Sequence, residues 1–235
     1  MEKKSYSCTY LQNSVYFAPN ELRHCCKRFF LKGELKGDVK IFDVKKTNDI
    51  TIEKIRKEKQ KLHYQINNGI DNPCTGCPYL VYDEWSSLKD LSINHISFES
   101  HSVCNMKCSY CSPTYYGGLE PNYDLEEILK ILIKGNVISS KLSLVWGGGE
   151  PTLLKNFEKI LTQYTTKLEP QNNQIFTNAI KYSDQIADYL KSKKVKISVS
   201  IDAGTIETFK KVRGVKAFEK VLSNLKKYLN FAGKG

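Results

Sequence analysis

Three cysteines fall within eight residues in Cys104-Asn105-Met106-Lys107-Cys108-Ser109-Tyr110-Cys111, a C-x3-C-x2-C spacing. Thiolates are soft ligands, and three on one short loop can bind a single compact soft-metal centre. Iron–sulfur clusters normally take four cysteines, so three would leave one iron without a protein ligand, open to chemistry. Further along, Gly147-Gly148-Gly149-Glu150-Pro151 places a carboxylate directly behind a glycine run. Glycine lets a backbone approach a ligand closely, and a carboxylate suits an ammonium group. Taken alone, the same glycines would equally make an ordinary turn. Five more cysteines lie earlier in the chain: Cys8, Cys25, Cys26, Cys74 and Cys77. In Cys74-Thr75-Gly76-Cys77-Pro78 the glycine lets the backbone curl so that both sulfurs can face one metal. That spacing is poorly suited to a relaxed disulfide. The C-x2-C pairs at 74–77 and 108–111 also admit a zinc site. Zinc would leave Cys104 unemployed and would not account for the glycine–glutamate segment.

These groups need elements to position them. Residues 1–90 read as an irregular, cysteine-bearing region, with a strand over Val39 to Val44 and a helix over residues 52–67 that buries Ile52, Ile55, Leu62 and Ile66. From residue 91 strands and helices alternate. Ile93 to Phe98 is a strand, and the three-cysteine loop follows it. Asp124 caps a helix with Glu127 three positions on, as in a capping box, and Leu125, Ile128, Leu129, Leu132 and Ile133 form its buried stripe. Lys141 to Trp146 is a second strand ahead of the glycine run, and a helix burying Phe157, Ile160, Leu161, Tyr164 and Leu168 comes next. A third strand ends at Phe176-Thr177-Asn178, and Ser183 caps a helix. Val195 to Ile201 is a fourth strand, and Phe218, Val221, Leu222 and Leu225 mark a last helix. Four successive βα units imply a parallel sheet with right-handed crossovers. In such sheets the loops at the strand C-termini build the active site. The cysteine loop, the glycine run, Thr177-Asn178, Ser200 and Asp202 all sit at those ends. Asp202 reads equally as a helix cap or a ligand, and His101 as a surface or supporting residue rather than a ligand.

Composition narrows the classes. Of 235 residues, 40% are hydrophobic and 26% charged, ordinary globular usage that excludes global disorder. No apolar run reaches the length of a membrane span, and the start Met-Glu-Lys-Lys-Ser-Tyr leads into no apolar stretch, so neither membrane insertion nor secretion is expected. The expected compartment is cytoplasmic, where clustered cysteines more often bind metal or do redox chemistry than form disulfides. The net charge of +11 is spread along the chain without a dense basic block. It reads as solvated lysine on helix faces, and nucleic acid is not an expected partner.

The cysteine loop with Tyr110 before its last cysteine, Gly148-Gly149-Glu150-Pro151 at a strand end, and Ile197-Ser198-Val199-Ser200-Ile201-Asp202-Ala203 together resemble the radical S-adenosylmethionine (radical SAM) enzymes over about residues 91–230. The resemblance implies an α/β fold with a partial (β/α) barrel, here apparently truncated after the fourth βα unit, since the chain closes on Asn230 to Gly235 where a further strand would begin. It divides the chain into an N-terminal cysteine-bearing region, 1–90, and a core, 91–235. It further implies that Cys104, Cys108 and Cys111 hold a [4Fe-4S] cluster whose open iron chelates SAM. Reductive cleavage would then give a 5′-deoxyadenosyl radical that abstracts hydrogen from a substrate. Tyr110 matches an aromatic position near the adenine; Gly148, Gly149 and Glu150 match the motif receiving the SAM amino group; Ser200 and Thr177 match positions reaching the ribose or substrate. Expected partners are a reductant such as flavodoxin or ferredoxin and a small-molecule or peptide substrate. Cys74, Cys77, Cys25, Cys26 and Cys8 resemble the extra cysteines of members with an auxiliary (SPASM or twitch-like) cluster. A second iron–sulfur cluster, a zinc site and unliganded thiols all remain open there. The rival readings are a catalytically inactive or electron-transfer iron–sulfur protein and a zinc-stabilised binding module.

Overall fold

The computed structural model describes residues 4–112 and 117–232; the terminal tripeptides, on which part of the reading of the chain ends rests, lie outside them. In chain order the elements are β1 (Ser5–Ser7), α1 (Thr9–Asn13), β2 (Ser14–Ala18), β3 (Glu21–Arg23), β4 (Arg28–Leu31), β5 (Glu34–Gly37), β6 (Lys40–Asp43), α2 (Ile52–Asn67), β7 (Val81–Asp83), β8 (Ile93–Phe98), α3 (Leu125–Lys134), β9 (Ile138–Trp146), α4 (Phe157–Leu168), β10 (Asn172–Thr177), α5 (Asp184–Lys191), β11 (Lys196–Val199), α6 (Ile206–Arg213) and α7 (Phe218–Leu229). No helix among the described residues is long and apolar enough to cross a membrane.

Two compact units emerge, one from residues 1–97 with 122–142 and the other from 98–121 with 143–235. In the first, β8, β2, β3 and β6 lie side by side in that order. The β2–β3 and β3–β6 pairs are antiparallel, β4 and β5 form a hairpin, and β1 pairs antiparallel with β7. Residues 1–90 therefore carry more regular structure than their sequence suggests, because β1 to β7 are only three to five residues long and too short to show an alternating pattern. Helix α2 is capped by Thr51, whose hydroxyl accepts from the Lys54 N–H. It buries Ile55 and Leu62 as expected, and also the whole of Lys59. Helix α3 starts at Asp124, whose carboxylate accepts from the Glu126 and Glu127 N–H groups. The expected capping box does not close: Thr47 accepts the Asp124 N–H, and Glu127 pairs instead with Lys130. Ile133, expected in the buried stripe of α3, is 46% exposed.

In the second unit β10 pairs parallel with both β9 and β11, as consecutive βα units require. Phe98, the last residue of β8, stacks on Trp146, the last of β9, at 4.6 Å between ring centroids, and Tyr164 of α4 meets both rings edge-on. The Trp146 indole N–H donates to Asn173 at the start of β10. Burying three rings with the one polar N–H satisfied gives these strand ends a rigid seat. The sequence suggests one last helical stretch; the structure has two helices, α6 capped by Thr205 and ended by Gly214 in the left-handed region, then α7.

Candidate functional site

The cysteine loop leaves β8 directly after Phe98 and the glycine turn leaves β9 directly after Trp146, so the aromatic stack fixes both exits. Backbone hydrogen bonds continue past the strand ends, from Gly147 to Phe98, Gly149 to His101 and Glu150 to Val103, each at 2.9 Å. The base of the cysteine loop is closed by Ser102, which bonds Gly118 and Leu119 through its backbone and hydroxyl. Its far side is held by α6: the Lys107 and Ser109 N–H groups donate to the carbonyls of Arg213 and Val212.

The glycines serve a purpose the sequence did not reveal. A Cβ on Gly149 would stand 2.2 Å from the Val103 carbonyl oxygen, and one on Gly148, at φ +85°, would stand 2.8 Å from that of His101. Their close approach is to the cysteine loop's own backbone. Gly147 has nothing within 4 Å of the equivalent position, so that side of the turn is open.

Glu150 is 1% exposed. Its Oε1 accepts from the Thr152 and Thr177 hydroxyls, each at 2.7 Å, and from the Thr152 N–H; its Oε2 accepts from the Asn178 N–H at 2.7 Å. A carboxylate offers roughly four lone-pair sites, two on each oxygen, so one on Oε2 remains for a further donor. Thr177 spends its only donor on Glu150 and thus orients that carboxylate. Ser200, just beyond β11, is exposed.

Cys104, Cys108 and Cys111 are free, half-buried thiols. They lie close enough that charge on Cys108 would raise both neighbours, and burial already holds the Cys104 and Cys111 thiols above the usual range. The Cys104 sulfur accepts from the Met106 N–H and from the Asn178 side chain, which also donates to Asn105. Sequence reasoning noted Asn178 at a strand end but gave it no role; it ties Glu150 to the cysteine loop. Among the described residues, no three His, Cys, Asp or Glu side chains are placed to share a single metal ion. A zinc ion needs all its sulfurs at about 2.3 Å from one point. A cubane takes one thiolate per iron and spaces them more widely. The loop's donor set, three half-buried thiols with two N–H donors aimed at the Cys104 sulfur, fits the cluster.

Tyr110 is 62% exposed, and its hydroxyl donates to Asp202 at 2.6 Å. Arg213 donates to the same carboxylate at 2.9 Å, to the Tyr110 hydroxyl, and through Nε to the Met106 sulfur. Burial and the Asp202 carboxylate both push the Tyr110 phenol above its ordinary range. Asp202 is therefore not the cap of α6, a place taken by Thr205; it anchors the cysteine loop's aromatic residue. Arg213 had no sequence signal, since its partners lie far away in the chain. His101 is 2% exposed, buried rather than at the surface, with both ring nitrogens unpartnered and its ring driven down to about 4 by burial.

The N-terminal cysteines divide. Cys8, Cys25, Cys74 and Cys77 gather around Leu11, Val39 and Leu62, whereas Cys26 sits beside the Tyr16 hydroxyl.

The sequence and the structure were compared with known proteins. The GTP 3′,8-cyclase of Pasteurella multocida (strain Pm70) is 27% identical over 129 residues, covering 53% of this chain and 38% of that protein. The GTP 3′,8-cyclase of Clostridium acetobutylicum is 28% identical over 138 residues, covering 57% and 42%. The chain thus spans about two fifths of the length of these relatives. The solved structure of native anSMEcpe with bound AdoMet and Cp18Cys peptide matches with a TM-score of 0.46 at 27% identity, covering 58% of this chain and 40% of that one. The profile of the Radical SAM superfamily matches residues 98–233, a span that begins on the last residue of β8 and takes in the cysteine loop, the glycine turn and the parallel strands. That span is more than half of the sequence, and the chain belongs to the Radical SAM superfamily.

Proposed function

We propose that Cys104, Cys108 and Cys111 hold a [4Fe-4S] cluster and that the turn Gly148 to Glu150 receives SAM beside it, making residues 91–235 the cofactor-binding core of a radical enzyme. Enzymes of this family work with that cluster and SAM. The chemistry this pair supplies when bound is reductive cleavage of the SAM sulfonium and removal of a hydrogen atom from a substrate. One observation carries the reading: the three-thiol loop and the glutamate turn are hydrogen-bonded to each other, so metal ligands and ammonium acceptor are held in one rigid frame.

Within that frame the chain's own residues have separate tasks. The thiols of Cys104 and Cys111, raised by burial, give up their protons on loading iron, and the N–H donors at Cys104 then favour the thiolate. Thr152, Thr177 and the Asn178 N–H hold the Glu150 carboxylate immobile, with one lone pair for the SAM ammonium. Asp202 and Arg213 fix Tyr110 against the loop for the adenine, and Ser200 faces the space where ribose or substrate would lie. Electrons come from a reductant such as flavodoxin or ferredoxin. Eight free thiols fit a reducing compartment such as the cytoplasm. The substrate is a small molecule or a peptide; the names of the matched proteins include a nucleotide cyclase and a peptide complex. Residues 1–90 are a cysteine-bearing region ahead of that core.

The test is anaerobic reconstitution with iron and sulfide, followed by dithionite and SAM. The parent chain should release 5′-deoxyadenosine, and Cys108→Ala should release none. Undiminished release by Cys108→Ala, or none by an iron-loaded parent chain, would overturn the reading.

A further inference from the structure

We propose that Cys8, Cys25, Cys74 and Cys77 hold a second, closed [4Fe-4S] cluster, and that Cys26, adjacent to one ligand, is not itself a ligand. The four thiols come from three distant segments: the residue ahead of α1, the loop after β3, and the turn between α2 and β7. The fold brings them to one place. Cys74 is buried, and Cys8, Cys25 and Cys77 pack around the same apolar cluster of Leu11, Val39 and Leu62. They are near enough that charge on Cys25 would raise each of the other three. The Cys26 thiol meets the Tyr16 hydroxyl and lies near Lys27, and it is not among the residues packed on that apolar cluster.

Two further observations point to an anionic occupant. Lys59 is fully buried, and its ammonium donates to the Leu11 and Ser14 carbonyls at 2.7 and 2.8 Å. It stands close enough to Cys8 and Cys25 to feel their charge. A buried cation with only neutral carbonyls around it is costly, and a thiolate-ligated cluster beside it offsets that cost. A backbone N–H is also aimed at sulfur, that of Leu11 at Cys8, at 3.4 Å. Such a donor favours thiolate over thiol and tunes cluster potentials.

No three of these side chains are placed to share one ion, whereas a cubane takes one thiolate per iron. An open cleft beside Ile66, Gly76 and Leu80 reaches Cys74 from outside. Four protein ligands leave no iron open, so this site would not chelate SAM. Its role would be to cross-link the three segments and to carry electrons.

The experiment uses the full chain carrying Cys104/Cys108/Cys111→Ala, reconstituted anaerobically, with iron, sulfide and zinc measured beside circular dichroism. About four irons and four sulfides per chain should remain. Adding Cys25→Ser should remove them, and adding Cys26→Ser should leave them in place. A folded triple variant without iron, zinc bound in the absence of sulfide, or iron lost with Cys26→Ser but kept with Cys25→Ser would each overturn the proposal. If the triple variant does not fold, Mössbauer quantification of the parent chain decides: about eight irons support a second cluster and about four refute it. The readout needs no SAM cleavage, so its failure is distinct from failure of the proposed function.

Discussion

Replacing Gly149 by Ala tests whether the glycine turn exists to let the cysteine loop pack against it. The added methyl would stand 2.2 Å from the Val103 carbonyl oxygen and 2.9 Å from the carbonyl carbons of Ser102 and Val103. All three are backbone atoms, so no side chain can rotate away. Either the loop or the turn must move. Forced overpacking costs about 1–3 kcal/mol. Separating the two segments also strains the bonds from Gly149 to His101 and from Glu150 to Val103, each worth about 1 kcal/mol. The expected destabilisation is therefore about 3 kcal/mol or more, a fall in Tm of roughly 6–12 °C for a chain of this size. Cys104 follows Val103 directly, so the displacement should also lower the iron bound after reconstitution. Gly147→Ala is the matched control: nothing lies within 4 Å of its methyl position, and the expected change is within about 0.5 kcal/mol. Thermal melts and iron assays on both variants decide the matter. If Gly149→Ala melts within about 2 °C of the parent and loads iron equally, the glycine is not there for packing and the reasoning fails.

Two other outcomes follow from the same packing. His101 is buried without a partner for either ring nitrogen, and its pKa falls to about 4 against roughly 6.5 in the unfolded chain. The folded form therefore resists a proton the unfolded form accepts; stability is full above about pH 6.5 and is lost as pH falls toward 4, with about 2 kcal/mol gone by pH 5. Urea denaturation at pH 7.5 and pH 5 should show that loss in the parent and a smaller one in His101→Leu; equal losses would contradict it. Arg213→Leu should free Tyr110 and Asp202. Because Asp202 is 41% exposed, the cost should be only about 1–2 kcal/mol, with faster tryptic cleavage after Lys107 as the local signature. Unchanged cleavage would mean that Arg213 does not tether the loop.

Much of this protein is local enough to be legible in a line of residues. The C-x3-C-x2-C spacing places three thiols on one loop whatever the rest of the chain does, and the loop's position after a strand follows from the apolar run Ile93 to Phe98. The caps at Asp124 and Ser183 and the stripes of α3 and α4 are likewise set by residues within one or two helical turns. What only the tertiary structure decided depends on neighbours distant in sequence. Glu150 reads as a free carboxylate until Thr177 and Asn178, brought alongside by the β9–β10 pairing, claim most of its lone pairs. Gly148 and Gly149 read as making room for a ligand, and the space they make is filled by the backbone of residues 99–103. Cys25 and Cys26 are chemically identical neighbours, and side chains alternate across an extended backbone, so the fold can send one to the four-thiol group and the other to Tyr16. Lys59 occupies a place on α2 that its charge would put in water, and it is buried because three backbone carbonyls from α1 and its ends converge on its ammonium. Spacing along the chain determines which groups share a loop or a helix face; which of them meet is determined by strand pairing and packing, and those join residues that no local pattern connects.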